Sequence, residues 1–171
     1  MRQFVVACGA GMMCLFFAAA AGGQDAVPVD KIPKEVMDSL LARFPKAKID
    51  KCTKAKEGDD IVYDIEFKEN GRKCEADIKE NGDYINFEKA IEAKDLPKAV
   101  LAAIESRYPK AKWIDVMEET EVKGKSEKIS AYEVTLVTAD NRDVEVRVSP
   151  DGKILEDTGA KKKEEKKEQK K

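Results

Sequence analysis

PKEVMDSLLARFPKAK (residues 33–48) and PKAVLAAIESRYPKAK (residues 97–112) are two versions of one segment. At an offset of 64, eight of sixteen positions are identical: Pro33/Pro97, Lys34/Lys98, Val36/Val100, Arg43/Arg107, Pro45/Pro109, Lys46/Lys110, Ala47/Ala111 and Lys48/Lys112. Met37/Leu101, Leu40/Ile104 and Phe44/Tyr108 are similar besides. Self-similarity on this scale marks a repeated structural unit.

Each copy reads as a helix. Proline at the first helical position costs nothing, because its missing N–H has no partner there anyway. Asp30 and Asp95, just upstream, suit the positive end of the helix dipole. Val36, Met37, Leu40, Leu41 and Phe44 form one apolar stripe, as do Val100, Leu101, Ile104 and Tyr108. Pro45 and Pro109 stop the helices, since the residue before proline avoids the α region. Phe44 and Tyr108 read as core residues at the helix ends.

Downstream of each helix the period changes to two. Ile61, Tyr63, Ile65 and Phe67 alternate with Val62, Asp64, Glu66 and Lys68; Cys74, Ala76 and Ile78 alternate with Glu75, Asp77 and Lys79. In the second copy Tyr132, Val134 and Leu136 alternate with Glu133, Thr135 and Val137. Val144, Val146 and Val148 alternate with Asp143, Glu145 and Arg147. Such alternation predicts antiparallel strands with one dry and one wet face. Asn70-Gly71, Asn81-Gly82, Asp140-Asn141 and Asp151-Gly152 supply the hairpin turns. The prediction is an α+β fold of two tandem repeats, each one helix packed on about four antiparallel strands. The first spans residues 32–92 and the second 96–157. Two cores of about 60 residues would each be marginal alone, so the halves should share a sheet or an interface.

Both ends read differently. Residues 1–23 have the form of a signal peptide, with Arg2, an uncharged run from Phe4 to Ala21, and small residues from Ala18 to Gly23. The expectation is export to the periplasm or beyond, with no stable membrane span after cleavage. About 148 residues then remain, with two of the four cysteines and a net charge of −3 instead of −2. That near-neutral balance gives no reason to expect nucleic acid as a partner. Residues 160–171, AKKKEEKKEQKK, offer nothing apolar to bury beyond Ala160 and read as a disordered tail. Solubilisation is its plain role; adhesion to anionic envelope polymers is the alternative.

The residues carry a resemblance. Pro-x-x-Val, a helix, Arg-aromatic-Pro-x-Ala, then Tyr-x-Val-x-Leu and Asp-Gly-Lys-Ile-Leu resemble the PepSY-like family, grouped with the beta-lactamase inhibitory protein fold. RYPKAKW, YEVTL and SPDGKIL make the second copy the closer match; RFPKAK, YDIEF and ENGDYI are more diverged. The resemblance implies helices behind a sheet whose open face can dock on another protein. Most members of that family have no assigned biochemical role, and no catalytic residue or cofactor is expected in this chain.

The chain has no histidine, which removes Ser-His and Cys-His pairs and most zinc sites. The carboxylates Asp64, Glu66, Glu75 and Asp77 fall on the wet side, where they should ionise normally instead of splitting as an acid–base pair. No dedicated metal loop accompanies them. Cys52 and Cys74 align with Val116 and Val144, so both occupy core-type positions. A simple meander sets them on the first and third strands, about 9–10 Å apart and beyond the ~7 Å reach of a disulfide. A bend or another strand order would join them, and the inhibitor that the family resembles has disulfides within its domains. Both states stay open.

The expected function is non-enzymatic: binding an envelope protein or peptide through the wet face, with inhibition of an envelope enzyme as one form of it. Candidate contact residues are Asp64, Glu66, Glu75, Asp77, Glu133, Glu145 and Arg147, with Tyr84 and Trp113 as aromatic anchors. Acids outnumber cations there, which favours a basic partner. An ordinary solvated face is the plain reading of the same residues, and Trp113, which matches Ile49, reads equally as core. The alternatives in kind are a small-ligand or cation-binding envelope protein, and a structural protein attached through its lysine-rich tail.

Overall fold

In the computed structural model, which describes residues 24–159, the two proline-led segments are helices α1 (Lys34–Arg43) and α2 (Lys98–Arg107). Pro33 and Pro97 sit one residue earlier than expected, as N-caps with φ of −55° each. Phe44 and Tyr108 leave the helical region just before their prolines, with ψ of 75° and 65°. The leader and the lysine-rich tail lie outside the described residues.

Nine strands make one antiparallel sheet in simple chain order: β1 (Asp25–Ala26), β2 (Lys48–Glu57), β3 (Asp60–Glu69), β4 (Arg72–Lys79), β5 (Tyr84–Ala90), β6 (Lys112–Lys123), β7 (Ser126–Val137), β8 (Asp143–Val148) and β9 (Ile154–Asp157). The order of one helix followed by four strands occurs twice. The short β1 was not expected; it adds an edge to β2 through Asp25↔Lys54. Pairing of β5 with β6, from Asn86↔Glu121 to Ala90↔Met117, fuses the halves into a continuous sheet.

Local details recur at corresponding positions. Register breaks fall between Ile49 and Lys51 on β2 and between Trp113 and Asp115 on β6. Gly82 and Gly152 both have φ of +89°. A side chain at Gly82 would stand 2.9 Å from the Glu35 carbonyl of α1, and one at Gly152 would stand 2.7 Å from the Ala99 carbonyl of α2. Each helix therefore rests on a hairpin turn that only glycine fits.

Both helices cover the same face. Val36, Leu40 and Phe44 of α1 pack on Cys52, Ile65, Phe67, Cys74, Ala76, Ile78 and Phe87. Val100 and Ile104 of α2 pack on Val116, Tyr132, Val134, Leu136, Val144, Val146 and Val148. Cross-strand pairing runs Cys52↔Ile65↔Ala76↔Phe87↔Thr120, with Val116↔Val134↔Val146 on that side too. Leu41 is turned about 100° from Leu40 and is 41% exposed, so it leaves the predicted stripe. The cysteines are free and buried. The meander keeps β3 between them, and Cys74 pairs with Phe67 while Cys52 pairs with Ile65, two residues away along that strand.

No helix among the described residues is long and apolar enough to cross a membrane.

Candidate functional site

The face opposite the helices carries the acids, and pairing puts them in rows. Asp64 on β3 faces Asp77 on β4, which faces Asn86 on β5. One step along, Glu66, Glu75, Glu88 and Glu119 stand opposite one another on β3, β4, β5 and β6. Directly opposed side chains lie roughly 4.5–5.5 Å apart at Cβ, and like charges so placed are destabilising.

Three of the four glutamates are answered by cations. Lys51 Nζ lies 2.7 Å from Glu66. Lys73 Nζ lies 2.9 Å from Glu75 and 2.9 Å from Asp115. Arg147, on β8, donates through Nε and Nη2 to both oxygens of Glu119 at 2.6 Å each, and the Ser130 hydroxyl donates to Glu119 at 2.7 Å. Glu88 is the exception. Among the described residues no lysine or arginine pairs with it, and its Oε2 has no hydrogen-bond partner.

These acids do not behave as a solvated face, which corrects the expectation from alternation. Glu75, Glu88, Glu119 and Glu133 are 3–7% exposed. They stand on the middle strands of a wide sheet, where long side chains from both flanks cover them. Burial, then the charges of Glu75 and Glu66, push Asp64 up to about 6. Burial and the neighbouring Asp64 push Asp77 up to about 7, although Asn86 donates to it at 3.0 Å. Burial, then the charges of Glu133 and Glu75, hold Glu88 well above the usual carboxylate range. Glu145 is raised as well, by burial and then by Glu75.

A cavity of about 30 Å³ opens among Glu57, Asp64, Glu75, Asp77 and Glu88. Its other lining residues include Thr53 and Asn86, and none is a lysine or arginine. Raised, facing carboxylates meet one requirement of acid–base chemistry. Among the described residues no three acidic or cysteine side chains converge closely enough to hold a metal ion.

Of the residues singled out from the sequence, Asp64, Glu66, Glu75, Asp77, Glu133, Glu145 and Arg147 do share this open face. The two aromatic residues do not. Tyr84 lies on the helix side, where its hydroxyl donates to the Ser39 carbonyl at 3.2 Å and Arg43 stacks on its ring at 4.8 Å. Trp113 packs against the second core. Both side with the core because their strand partners, Ile78 and Leu136, do so. Glu88 and Glu119 were missed. The alternation in Ile85-Asn86-Phe87-Glu88 held the signal, since it turns Glu88 to the face away from the core residue Phe87.

The family model described as "Putative beta-lactamase-inhibitor-like, PepSY-like" matches the chain twice, over residues 21–85 and 61–156. No curated protein matches. Among solved structures, a "putative periplasmic" protein from Bacteroides eggerthii is similar at a TM-score of 0.57 and 13% identity, over 74% of this chain and 87% of that one. A DUF2874 family protein from Bacteroides uniformis is similar at 0.55 and 16% identity, over 73% and 87%. A BLIP-like protein from Bacteroides fragilis is similar at 0.52 and 23% identity, over 77% and 86%. At these identities the likeness is one of fold. The two matches of the family model span most of the chain, which belongs to the PepSY-like, beta-lactamase-inhibitor-like family.

Proposed function

We propose that the chain is an exported, non-catalytic binding protein that docks a basic protein or peptide on the open face of its sheet. The observation that carries this is the row Glu66–Glu75–Glu88–Glu119, held on a face that no helix among the described residues covers. A folded chain that keeps buried acids in excess of their cations tolerates a local destabilisation that a cationic partner would relieve. Where that partner is an envelope enzyme, docking would inhibit it by occlusion.

Export rests on the leader-like residues 1–23 and on the "putative periplasmic" description of a structural relative. The repeat at an offset of 64 and the order of one helix followed by four strands, which occurs twice, read as copies of a single ancestral unit.

Affinity capture from envelope extract tests the reading. Wild type is expected to retain basic proteins at low salt and release them at high salt. Charge reversal at Glu66 and Glu145 should abolish retention. Equal retention by the reversed protein would move the docking surface elsewhere.

A further inference from the structure

At an offset of 70, Arg72 matches Arg142, Asn70 matches Asp140, Cys74 matches Val144 and Phe87 matches Asp157. Strand pairing agrees, since Ala76↔Phe87 in the first half stands where Val146↔Asp157 stands in the second. The same place, at the end of each helix, can therefore be compared within one chain.

In the second half both arginines have carboxylates of their own. Arg107 donates through Nε to Asp157 at 2.7 Å, and Arg142 donates through Nε to Asp140 at 2.7 Å. Neither acid is present in the first half, where Asn70 stands for Asp140 and Phe87 for Asp157. A third cation is present instead, because Lys89 stands where Gly159 does. Arg43, Arg72 and Lys89 line an open cleft of about 460 Å³ beside Phe44 and Cys74, with Glu69 as its one acid. Arg43 is answered from outside the cleft by Glu127 at 2.7 Å. Among the described residues no acid lies within ion-pair distance of Arg72 or Lys89, and the Lys89 ammonium rests on the Phe87 ring at 4.7 Å from its centre.

The two unanswered cations are neighbours by construction. Lys89 on β5 pairs with Cys74 on β4, and Arg72 lies two residues before Cys74, on the same face of that strand. Such diagonal neighbours are roughly 7–8 Å apart, which long side chains bridge. With Glu127 included, three cations meet two acids here, against two and two in the second half. The surplus is a single positive charge. A guanidinium and an ammonium are both strong donors to a carboxylate.

We propose that this cleft binds a small organic monocarboxylate, with one oxygen on Arg72, the other on Lys89, and the apolar end toward Phe44 and Cys74. The cleft lies on the helix side of the sheet, so the site is independent of the docking function above.

The test is an NMR titration of the full chain with sodium propionate, against sodium chloride, n-propylammonium chloride and inorganic phosphate at equal ionic strength. Saturable shifts at Asn70, Cys74 and Lys89, with none at Asp140 or Arg142, are expected with propionate and not with the chloride salts. Arg72→Gln should weaken binding at least fivefold. Asn70→Asp should do the same, by setting an acid beside Arg72 as Asp140 is set beside Arg142. Both positions are exposed, and aspartate tolerates the φ of +53° at Asn70, so both variants should keep the wild-type melting temperature. Equal shifts with chloride, tighter binding of phosphate than of propionate, or full affinity in either folded variant would overturn the site.

Discussion

Glu75 on β4 stands directly opposite Glu88 on β5, both are buried, and only Glu75 has a lysine beside it. This pair joins the sheet's construction to its electrostatics: a register set by the core residues on one face forces acids together on the other.

Stability should fall as pH rises from about 4 to 7. Asp64 and Asp77 are raised from 3.8 to about 6 and about 7 in the folded chain. Between those limits the folded state holds protons that the unfolded chain has released, so each rise in pH favours unfolding. The melting temperature should be higher at pH 5 than at pH 7.5. Asp77→Asn should flatten that slope and match or exceed wild type at pH 7.5. A wild-type melting temperature that climbs over this range would contradict the burial of these acids.

Arg147→Met should cost about 3 kcal/mol, because it leaves Glu119 buried without its bidentate partner. Adding Glu119→Gln should recover most of that loss. Urea denaturation of the two single variants and the double variant reads the coupling, and simple additivity would mean that the pair is not formed in solution.

The two glycines under the helices should be far more sensitive than one in an open turn. Gly82→Ala and Gly152→Ala place a methyl group against a helix carbonyl and strain a φ of +89°. Gly58→Ala, at φ +60° with nothing within 4 Å, meets only the backbone strain. Losses of about 3 kcal/mol for the first two and about 1 for the third are expected from denaturation midpoints.

Cys52 and Cys74 should react as two thiols, and only after unfolding. Burial pushes the Cys52 thiol up to about 11 and raises Cys74 as well. Mass spectrometry after alkylation under native conditions should show neither modified; in denaturant without reductant, both. Changing either to valine, the residue at the corresponding position of the other half, should cost less than about 1.5 kcal/mol.

The helices, the strands with their dry faces, and the turns were legible because each depends on short-range pattern. Pro33 and Pro97, the stripes from Val36 and Val100, and Asn81-Gly82 and Asp151-Gly152 carry their meaning within a few residues. The burial of the acids was not legible. Glu88 and Glu119 meet only because β5 pairs with β6 across the junction, which neither half's pattern specifies. Asp64 and Asp77 read as solvent-facing from alternation alone, which reports which face a residue takes but not how thickly its neighbours cover it. Tyr84 failed as a docking anchor for a related reason: a register shift between Asp77 and Ile78 puts it against Ile78 and the core.

Photo-crosslinking in living cells tests the open face as the docking surface most directly, with the crosslinking residue placed at Glu66 on that face or at Leu41 or Glu105 on the helix side. Adducts to a basic envelope protein from Glu66, diminished by added salt and absent from Leu41 and Glu105, are predicted. Adducts from the helix positions with none from Glu66 would contradict it.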